Sequence, residues 1–263
     1  MGRKSSCLPP IECPCKRRLS FFIDADIRLQ PTTIEHTLSL VKKRNASLLT
    51  GFPHFPTTSV LSKLLVPMQH FLVLFHLPLV MANLTRRPAF TAAHGAFMFF
   101  HHDAYKKIGG HKAVQSSLVE DVALAKEMKR SKETVILANI THEVSCYMYE
   151  TNKEVWNGFA KNAFPGIGRS YLLALGISMF YITTFVSPLA LAFIGLFTSQ
   201  LLYVIPLLLI WTLKAYIDWT TNQKNGLFFL MPFSALMLVI MLHYSIFLAL
   251  RKKGYEWKGR RYS

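Results

Sequence analysis

Two long apolar runs near the C-terminus place the strongest constraint on how this chain folds. Residues 171–197 form a run of 27 residues and residues 228–250 a run of 23, and neither contains Asp, Glu, Lys or Arg. A helix of about 20 apolar residues crosses the hydrocarbon core of a bilayer. The sequence therefore predicts a transmembrane helical region over residues 170–250, preceded by a domain of mixed composition over residues 20–165.

The number of membrane crossings stays open at this level. A third apolar block, residues 201–217, contains Lys214, so it either spans with that amine at the interface or forms the second arm of a hairpin. Basic residues favour the cytoplasmic side, which predicts a cytoplasmic tail over residues 251–263. If residues 161–169 are also cytoplasmic, the number of crossings is even. Either the first run then turns back near Pro188, or one block lies in the interface.

Composition disfavours several classes of protein. Hydrophobic residues make up 51% and charged residues 17% of the chain, and 30 Lys and Arg against 14 Asp and Glu give a formal charge of +16. Soluble domains carry about 25% charged residues, so an ordinary soluble enzyme is disfavoured. Basic residues form no stripe with aromatic residues, so no nucleic-acid partner is expected. The cysteines, three of which are Cys7, Cys13 and Cys15, lack metal or redox spacing and are interpreted as free thiols.

The mixed segment has an α/β pattern. Residues 1–19 are irregular in composition, and residues 64–84 are apolar but contain two histidines and two prolines, which favours an interfacial segment over a crossing. Short apolar or β-branched runs predict strands over residues 19–23, 96–100, 134–138 and 144–149. Periodicity and capping residues predict helices over residues 31–40, 103–108, 119–129 and 154–162.

Asp24 and Asp26 follow the first predicted strand. Because side chains repeat every two residues along an extended chain, we expect the two carboxylates on one side. Mg²⁺ and Mn²⁺ suit such a pair, since they bind through one or two carboxylates together with substrate phosphates. The alternative is a pair of solvated carboxylates in a loop.

Glu120 and Asp121 begin a predicted helix. One interpretation is stabilisation of the helix dipole, worth under about 1 kcal/mol. The other is a general base that accepts the proton of an attacking hydroxyl.

Three further segments have paired interpretations. Gly109, Gly110 and His111 follow a predicted helix, and their glycines either end that helix or let the backbone approach a ligand. His94 and Gly95, before a predicted strand, allow similar readings.

Trp156 and Lys161 lie in an aromatic and basic segment before the membrane region. This segment is interpreted either as an interfacial anchor or as a lid over the phosphates of a ligand.

Taken in order, these motifs resemble those of membrane-bound family 2 glycosyltransferases, whose catalytic domain is of the GT-A type. Residues 22–29 resemble the D-x-D strand, residues 95–98 and 104–111 the acceptor loop, and residues 119–124 the Glu-Asp motif. Within the family, residues 148–149 and the basic ending are most similar to the bacterial carotenoid-acid (diaponeurosporenoate) glycosyltransferase-like group.

The resemblance implies a partial α/β GT-A domain followed by transmembrane helices in the plasma membrane, with the catalytic part cytoplasmic. It implies inverting transfer of a sugar from a nucleotide-sugar, usually a UDP-sugar, to a lipid-like acceptor, with Mg²⁺ or Mn²⁺ as cofactor and membrane lipids as further partners. The implied roles are metal and donor binding by Asp24 and Asp26, donor contacts by Trp156 and Lys161, a base at Asp121 supported by Glu120, and acceptor contacts by His94, Gly95, Gly109, Gly110 and His111.

The chain departs from the family pattern before the D-x-D and in a later motif. The family's first nucleotide-binding strand is not seen, so we expect a truncated chain that lacks the uridine half of the donor pocket, and Q-x-x-R-W is absent. A non-catalytic membrane remnant or partner subunit of a split glycosyltransferase is the alternative. A small transporter is disfavoured because the two longest apolar runs contain no charge.

Overall fold

A computed structural model describes residues 19–77, 79–115, 117, 119–223, 226–251, 255–257 and 260–262. The predicted irregular N-terminus, apart from Leu19, lies outside the described residues, as do Cys7, Cys13, Cys15 and most of the basic tail. The remaining cysteine, Cys146, is a buried free thiol, as predicted.

Strands and helices alternate in the first part of the described chain, and helices follow. The strands are β1 (Leu19–Ile23), β2 (Ile27–Leu29), β3 (Leu48–Phe52), β4 (Phe97–His101), β5 (Val135–Asn139), β6 (Val144–Cys146), β7 (Tyr255–Trp257) and β8 (Arg260–Tyr262). The helices are α1 (Thr33–Arg44), α2 (Val60–Leu65), α3 (Pro67–His76), α4 (Leu79–Leu84), α5 (His102–Lys107), α6 (Glu120–Arg130), α7 (Asn152–Gly166), α8 (Tyr171–Tyr181), α9 (Ser187–Phe197), α10 (Ile205–Thr220) and α11 (Met231–Leu250). The predicted elements are confirmed within a few residues, whereas β2 and β3 were not predicted.

A mixed sheet with the strand order β1-β4-β3-β5 forms the centre of the first part. Strand β4 pairs antiparallel with β1 and β3, and β3 pairs parallel with β5. Alternate side chains of β4 face opposite sides, as the pleat of a strand requires. Met98 and Phe100 pack in one cluster with residues of α6, and Phe97 and Phe99 pack in another with Val41 of α1. The sheet is therefore covered by a helix on each face.

The first apolar run does not turn back at Pro188, so that alternative is wrong. Residues Tyr171–Phe197 form one helical run of 27 residues. A proline inside a helix removes one backbone hydrogen bond and clashes with the preceding turn. Here a π-helical turn at Ile182–Val186 ends two residues before the proline and separates α8 from α9. Such a wider turn accommodates the interruption without ending the helix.

In the described part of the chain, three helical runs are long and apolar enough to cross a membrane: Tyr171–Phe197, Leu201–Thr220 and Phe228–Leu250. The apolar segment over residues 64–84 instead contains the short helices α3 and α4. Phe71 of α3 packs in one cluster with Tyr181 and Phe185 of the first long run. Helix α3 is thus docked on the long helices rather than extended into one of its own.

Helix α7 packs against α11 through apolar side chains, and one serine adds hydrogen bonds between them. The Oγ atom of Ser245 donates a hydrogen bond to the carbonyl of Ala160 at 2.5 Å and accepts one from the backbone N–H of Phe164 at 3.1 Å. Ser245 is fully buried. This contact fixes α7, which carries Lys161, relative to the long C-terminal helices.

Candidate active site

The carboxyl ends of three strands meet at one edge of the sheet. Strands β1 and β3 both run antiparallel to β4, and β5 runs parallel to β3, so β1, β3 and β5 point the same way. Asp24 follows β1, and Phe52 and Asn139 are the last residues of β3 and β5. His94 and Gly95 precede β4 and therefore reach the same edge. Ligand sites of α/β proteins commonly form at such an edge.

Asp24 and Asp26 lie in a turn, which corrects the expectation that they share one face of an extended strand. Strand β1 ends at Ile23, and the chain turns through Ala25 and Asp26 into β2, which pairs with β6 rather than with the main sheet. The backbone N–H of Asp24 donates to the Ala96 carbonyl at 3.3 Å, and the Asp26 carbonyl accepts from the Tyr147 N–H at 2.8 Å. β1 is also half-buried rather than buried, because it is an edge strand with one neighbour.

The two aspartates line a cavity of about 470 Å³ opposite α7. Lys161 and Asn162 of α7 supply a cation and an amide to the same cavity. Burial lowers the pKa of the Lys161 amine, while the carboxylates of Glu120 and Asp121 oppose that shift. The lining residues are Asp24, Ala25, Asp26, Met148, Tyr149, Gly158, Lys161 and Asn162.

Asp26 is also held from the side of β6. The thiol of Cys146 lies 3.8 Å from its Oδ1 atom and donates to it. Burial and the aspartate charges raise the pKa of that thiol to about 12, so it keeps its proton at neutral pH. The contact therefore orients Asp26 without adding a second negative charge.

The carboxylate of Asp121 is positioned by two backbone N–H groups. Its Oδ2 atom accepts from Gly95 at 2.9 Å and its Oδ1 atom from Val122 at 2.8 Å. Burial raises the pKa of this carboxyl group, with a further increase from the charge of Asp24. A carboxylate with a raised pKa is a better proton acceptor than an ordinary aspartate. Asp121 is thus fixed beside Gly95 and within the electrostatic reach of Asp24.

His94 is a buried, neutral histidine behind this carboxylate. Burial lowers its pKa to about 4, although the charge of Asp26 acts in the opposite direction. Its Nδ1 atom accepts from the Ala96 N–H at 3.3 Å. Its ring packs against Phe52 and Phe55, with centroids 5.4 Å away in both cases. The buried ring of His94 therefore supports the loop at the edge of the sheet. It would act on a bound ligand only through this loop and not by direct contact.

Gly109 follows Ile108, the C-cap of α5, and has a left-handed backbone, as the helix-ending interpretation predicted. The close approach of a ligand to these glycines stays a prediction. Gly109 and Gly110 have φ angles of +78° and +57°, which favour glycine. A Cβ atom on Gly110 would lie 2.6 Å from the ring of Tyr105. The Tyr105 hydroxyl accepts from the backbone N–H of His111 at 3.1 Å and forms a second hydrogen bond, of 2.6 Å, with the Nδ1 atom of His111. The glycines let this loop fold over its own tyrosine.

Of the predicted site residues, Asp24, Asp26 and Lys161 line the cavity, and Asp121, His94 and Gly95 lie at the same sheet edge. Gly109, Gly110, His111, Glu120 and Trp156 are not among the lining residues. Glu120 is exposed, and its charge partly offsets the lowering of the His111 pKa by burial. Trp156 packs on Tyr244 of α11 with ring centroids 5.2 Å apart, in the same hydrophobic cluster as the lining residue Tyr149.

Sequence reasoning missed Thr50 and Phe52 because it did not predict β3. The backbone N–H of His94 donates to Thr50 Oγ1 at 3.1 Å, so this strand holds the loop that precedes β4. The missed signal is the segment Leu48–Phe52, in which Leu48, Leu49 and Phe52 are apolar and which Pro53 follows directly.

No group of three or more His, Cys, Asp or Glu residues suited to a metal ion occurs among the described residues. Asp24 and Asp26 both line one cavity, where their carboxylate oxygens form a pair of possible metal ligands. Two carboxylates fit an Mg²⁺-type site that takes its other ligands from substrate phosphates and water.

Comparison with known proteins gives one family. The model of glycosyl transferase family 21 matches residues 5–263. No curated protein matches the chain. The predicted glycosyltransferase ancestry is thus confirmed, whereas the matched family is not family 2 and is not specific to carotenoid acids.

Proposed function

The chain belongs to glycosyl transferase family 21, and from this premise we propose that it is a membrane glycosyltransferase that moves a sugar from a nucleotide-sugar to a lipid-like acceptor. One observation carries the proposal. A cavity at the carboxyl edge of the sheet is lined by Asp24 and Asp26 from the turn after β1 and by Lys161 from α7, and Asp121 is fixed at the same edge. The placement of a D-x-D after the first strand also supports a GT-A type of domain.

The donor diphosphate is proposed to bind between the aspartate turn and α7. Asp24 and Asp26 would hold Mg²⁺ or Mn²⁺, and the metal would supply neutralisation of the charge that develops on the departing nucleotide diphosphate. Lys161 contributes a second positive charge from across the cavity. The amide of Asn162 adds a neutral polar group to the same wall.

Asp121 is proposed to act as the general base of an inverting displacement. An acceptor hydroxyl oxygen attacks the anomeric carbon, and its proton passes to a carboxylate oxygen of Asp121. The bond from the anomeric carbon to the phosphate oxygen breaks, and its electron pair leaves with the nucleotide diphosphate. The raised pKa of Asp121 favours this proton transfer.

The arrangement of the long helices supports placing the sheet and the C-terminal tail on one face of the membrane. Helix α8 begins next to α7, and α10 ends where the Thr220 carbonyl accepts from Asn139 Nδ2 at 2.7 Å. The run from α8 to α10 therefore crosses and returns. Helix α11 begins beside the middle of α10, where Trp211 Nε1 donates to the Phe229 carbonyl at 2.9 Å.

Because α11 then ends against α7 through Ser245, we take α11 as the block that lies partly in the interface. Two crossings then remain. An even number of crossings leaves the basic residues that precede and follow the membrane region on the same side, which is the cytoplasmic side that basic residues favour. The proposed location is a cell membrane with the catalytic part cytoplasmic.

Donor binding tests this function. The full chain is purified in detergent and titrated with UDP and UDP-glucose by calorimetry, with and without Mn²⁺. Saturable binding that requires Mn²⁺ is expected, followed by sugar transfer in an acceptor screen. Absence of nucleotide binding and of transfer under both conditions would overturn the proposal and favour a non-catalytic partner subunit.

A further inference from the structure

Helix α4 is short, but its two faces differ in character. Val80, Met81 and Leu84 form the outer face, and their side chains are 66%, 37% and 74% exposed. Ala82 and Asn83 lie on the inner face, where Ala82 is buried. Residues three and four positions apart share one side of a helix, so the sequence itself separates the two faces. Large apolar side chains grouped at a surface mark a site of contact with a partner or a membrane.

Two side chains fix the inner face of α4 to the rest of the fold. Asn83 Nδ2 donates to the carbonyl of Leu137 in β5 at 3.1 Å, and Asn83 Oδ1 accepts from the Leu137 N–H at 2.8 Å. The buried amine of Lys129 in α6 donates to the carbonyls of Ala82 at 2.7 Å and Phe90 at 2.5 Å. Helix α4 and the loop after it are thus held against the sheet, so the apolar face is presented by a fixed helix.

The position of α4 places its outer face beside the membrane region. Leu79 of α4 and Tyr216 of α10 line the same cavity, so α4 lies next to the C-terminal turns of α10. Helix α10 belongs to a run that is long enough to cross a membrane. Tyr216 and Trp219 on its last turns are 62% and 70% exposed, and such aromatic residues favour the membrane–water interface. Helix α4 therefore lies at the level where α10 leaves the membrane.

Two arginines follow α4 closely. Arg86 and Arg87 are exposed, and neither forms an ion pair with another described residue. Hydrogen bonds from Lys107 at 2.8 Å and Ser47 at 2.7 Å lower the pKa of Glu133, and the charge of Arg86 adds to this shift. Because Glu133 is already bound by these two groups, both guanidinium groups are available to an external anion.

An apolar face followed by two cations suits a phospholipid with an anionic headgroup. The apolar side chains of interfacial helices enter the boundary between headgroups and acyl chains, and their basic side chains attract anionic lipids. A guanidinium group pairs well with phosphate oxygens because it donates two parallel hydrogen bonds. An acidic protein would also satisfy the arginines, but the apolar face and the adjacent end of α10 favour a bilayer.

We propose that α4 and the two arginines form a binding surface for anionic phospholipids. Val80, Met81 and Leu84 enter the acyl region, and Arg86 and Arg87 bind the phosphate groups. The surface selects by net charge, because the choline group of phosphatidylcholine cancels the charge of its phosphate. The proposal needs the long helices to lie in a membrane but does not depend on sugar transfer.

This surface adjoins the proposed reaction centre. Residues 88–93 join Arg87 to His94 and Gly95, and the N–H of Gly95 binds Asp121. Lys129 fixes this loop through the carbonyl of Phe90. Contact between the arginines and lipid headgroups therefore keeps this edge of the sheet close to the membrane surface.

Photolabelling of the full chain in lipid nanodiscs tests the surface. The nanodiscs consist of phosphatidylcholine with a minor share of phosphatidylglycerol, and either lipid carries a diazirine near the glycerol end of its acyl chain. Labelled residues are mapped by mass spectrometry. One basic residue near an anionic membrane changes affinity about fivefold, so the phosphatidylglycerol probe should label residues 79–87 about 10- to 25-fold more than the phosphatidylcholine probe.

A double substitution identifies the source of this preference. Arg86→Gln with Arg87→Gln should reduce labelling by the phosphatidylglycerol probe to the level of the phosphatidylcholine probe, which stays unchanged because the apolar face is intact. Lys42→Gln with Lys43→Gln is the matched control, since it removes the same charge from two exposed lysines of α1. This control should keep the preference. Equal loss in both double variants would show an effect of net charge alone and overturn the proposal.

Three further results would contradict this surface. Equal labelling of residues 79–87 by the two probes in the unchanged chain would remove the selectivity for anionic lipids. Absence of label from these residues with both probes would exclude the membrane contact and favour a protein partner. Loss of the preference in inorganic phosphate, at constant ionic strength, would assign the arginines to a free anion. The melting temperature of each variant in detergent confirms that it is folded.

Discussion

The backbone N–H of Gly95 donates a hydrogen bond to the Oδ2 atom of Asp121 at 2.9 Å. This bond joins the loop before β4 to the first turn of α6, two segments that are distant in sequence. A Cβ atom on Gly95 would lie 3.6 Å from Asp121, an ordinary contact, so the bond rather than the space determines the arrangement. In this arrangement each carboxylate oxygen of Asp121 keeps a lone pair that can take a proton from the sugar acceptor.

Substitution Asp121→Asn is expected to lower transfer to a hydroxyl acceptor by about 10²- to 10⁴-fold, the usual contribution of a general base. Transfer to a carboxylic acid acceptor should fall much less, because such a group is already ionised at neutral pH. The measurement is kcat with paired alcohol and acid acceptors. Equal and complete loss on both would contradict the base role, while Mn²⁺-dependent UDP binding serves as the control for folding.

The pH range in which the chain transfers sugar to a hydroxyl should be narrower than the range between the ordinary pKa values of aspartate and lysine. Burial raises the pKa of Asp121, so activity should fall on the acid side at a pH above the ordinary value of 3.8. Burial lowers the pKa of Lys161, so the alkaline fall should begin below its ordinary value of 10.5. The dependence of kcat/KM on pH checks both limbs, and loss of the alkaline limb in Lys161→Met would identify its source.

Removal of one metal-binding carboxylate should abolish the metal dependence of donor binding. Asp26→Ala is expected to reduce Mn²⁺-dependent UDP binding below detection in calorimetry, because Asp24 alone gives a single carboxylate. Asp103→Ala is the matched control, since the Asp103 side chain is 86% exposed and lies outside the cavity. Unchanged Mn²⁺ stimulation in Asp26→Ala would exclude Asp26 as a ligand.

Loss of the cation on α7 should weaken the donor complex. Lys161→Met keeps the length of the side chain but removes its charge, and we expect UDP affinity to fall about 10- to 100-fold, as for a hydrogen bond between charged groups. Lys153→Met on the same helix changes an exposed lysine outside the cavity and should leave affinity unchanged. A similar loss in both variants would indicate long-range electrostatics rather than direct contact.

The glycine loop should tolerate no side chain at its second glycine. Gly110→Ala places a Cβ atom 2.6 Å from Tyr105 and keeps a positive φ, so it should lower the thermal stability of the chain in detergent. Gly176→Ala is the control, because nothing lies within 4 Å of its Cβ position. The melting temperature of both variants is the measurement, and equal values would show that the loop adjusts freely.

Local sequence patterns determined most of the elements and much of the candidate site. Short apolar runs predicted β1 and β4, and the helix signals predicted α6 with Asp121 in its first turn. The sequence also singled out Asp24, Asp26 and Lys161, whose types match the chemistry of a charged ligand. It failed at β3, because Thr50 and Gly51 interrupt the apolar residues of this short buried strand.

The length and uncharged character of residues 171–197 and 228–250 are properties of the sequence alone, because the cost of burying charge in hydrocarbon depends on composition. Tertiary structure alone decided that the Asp24–Asp26 segment turns, that the helix continues through Pro188, and that Lys161 lines the same cavity as both aspartates. Strand order and helix docking fix these relations, and both depend on packing between residues far apart in the chain.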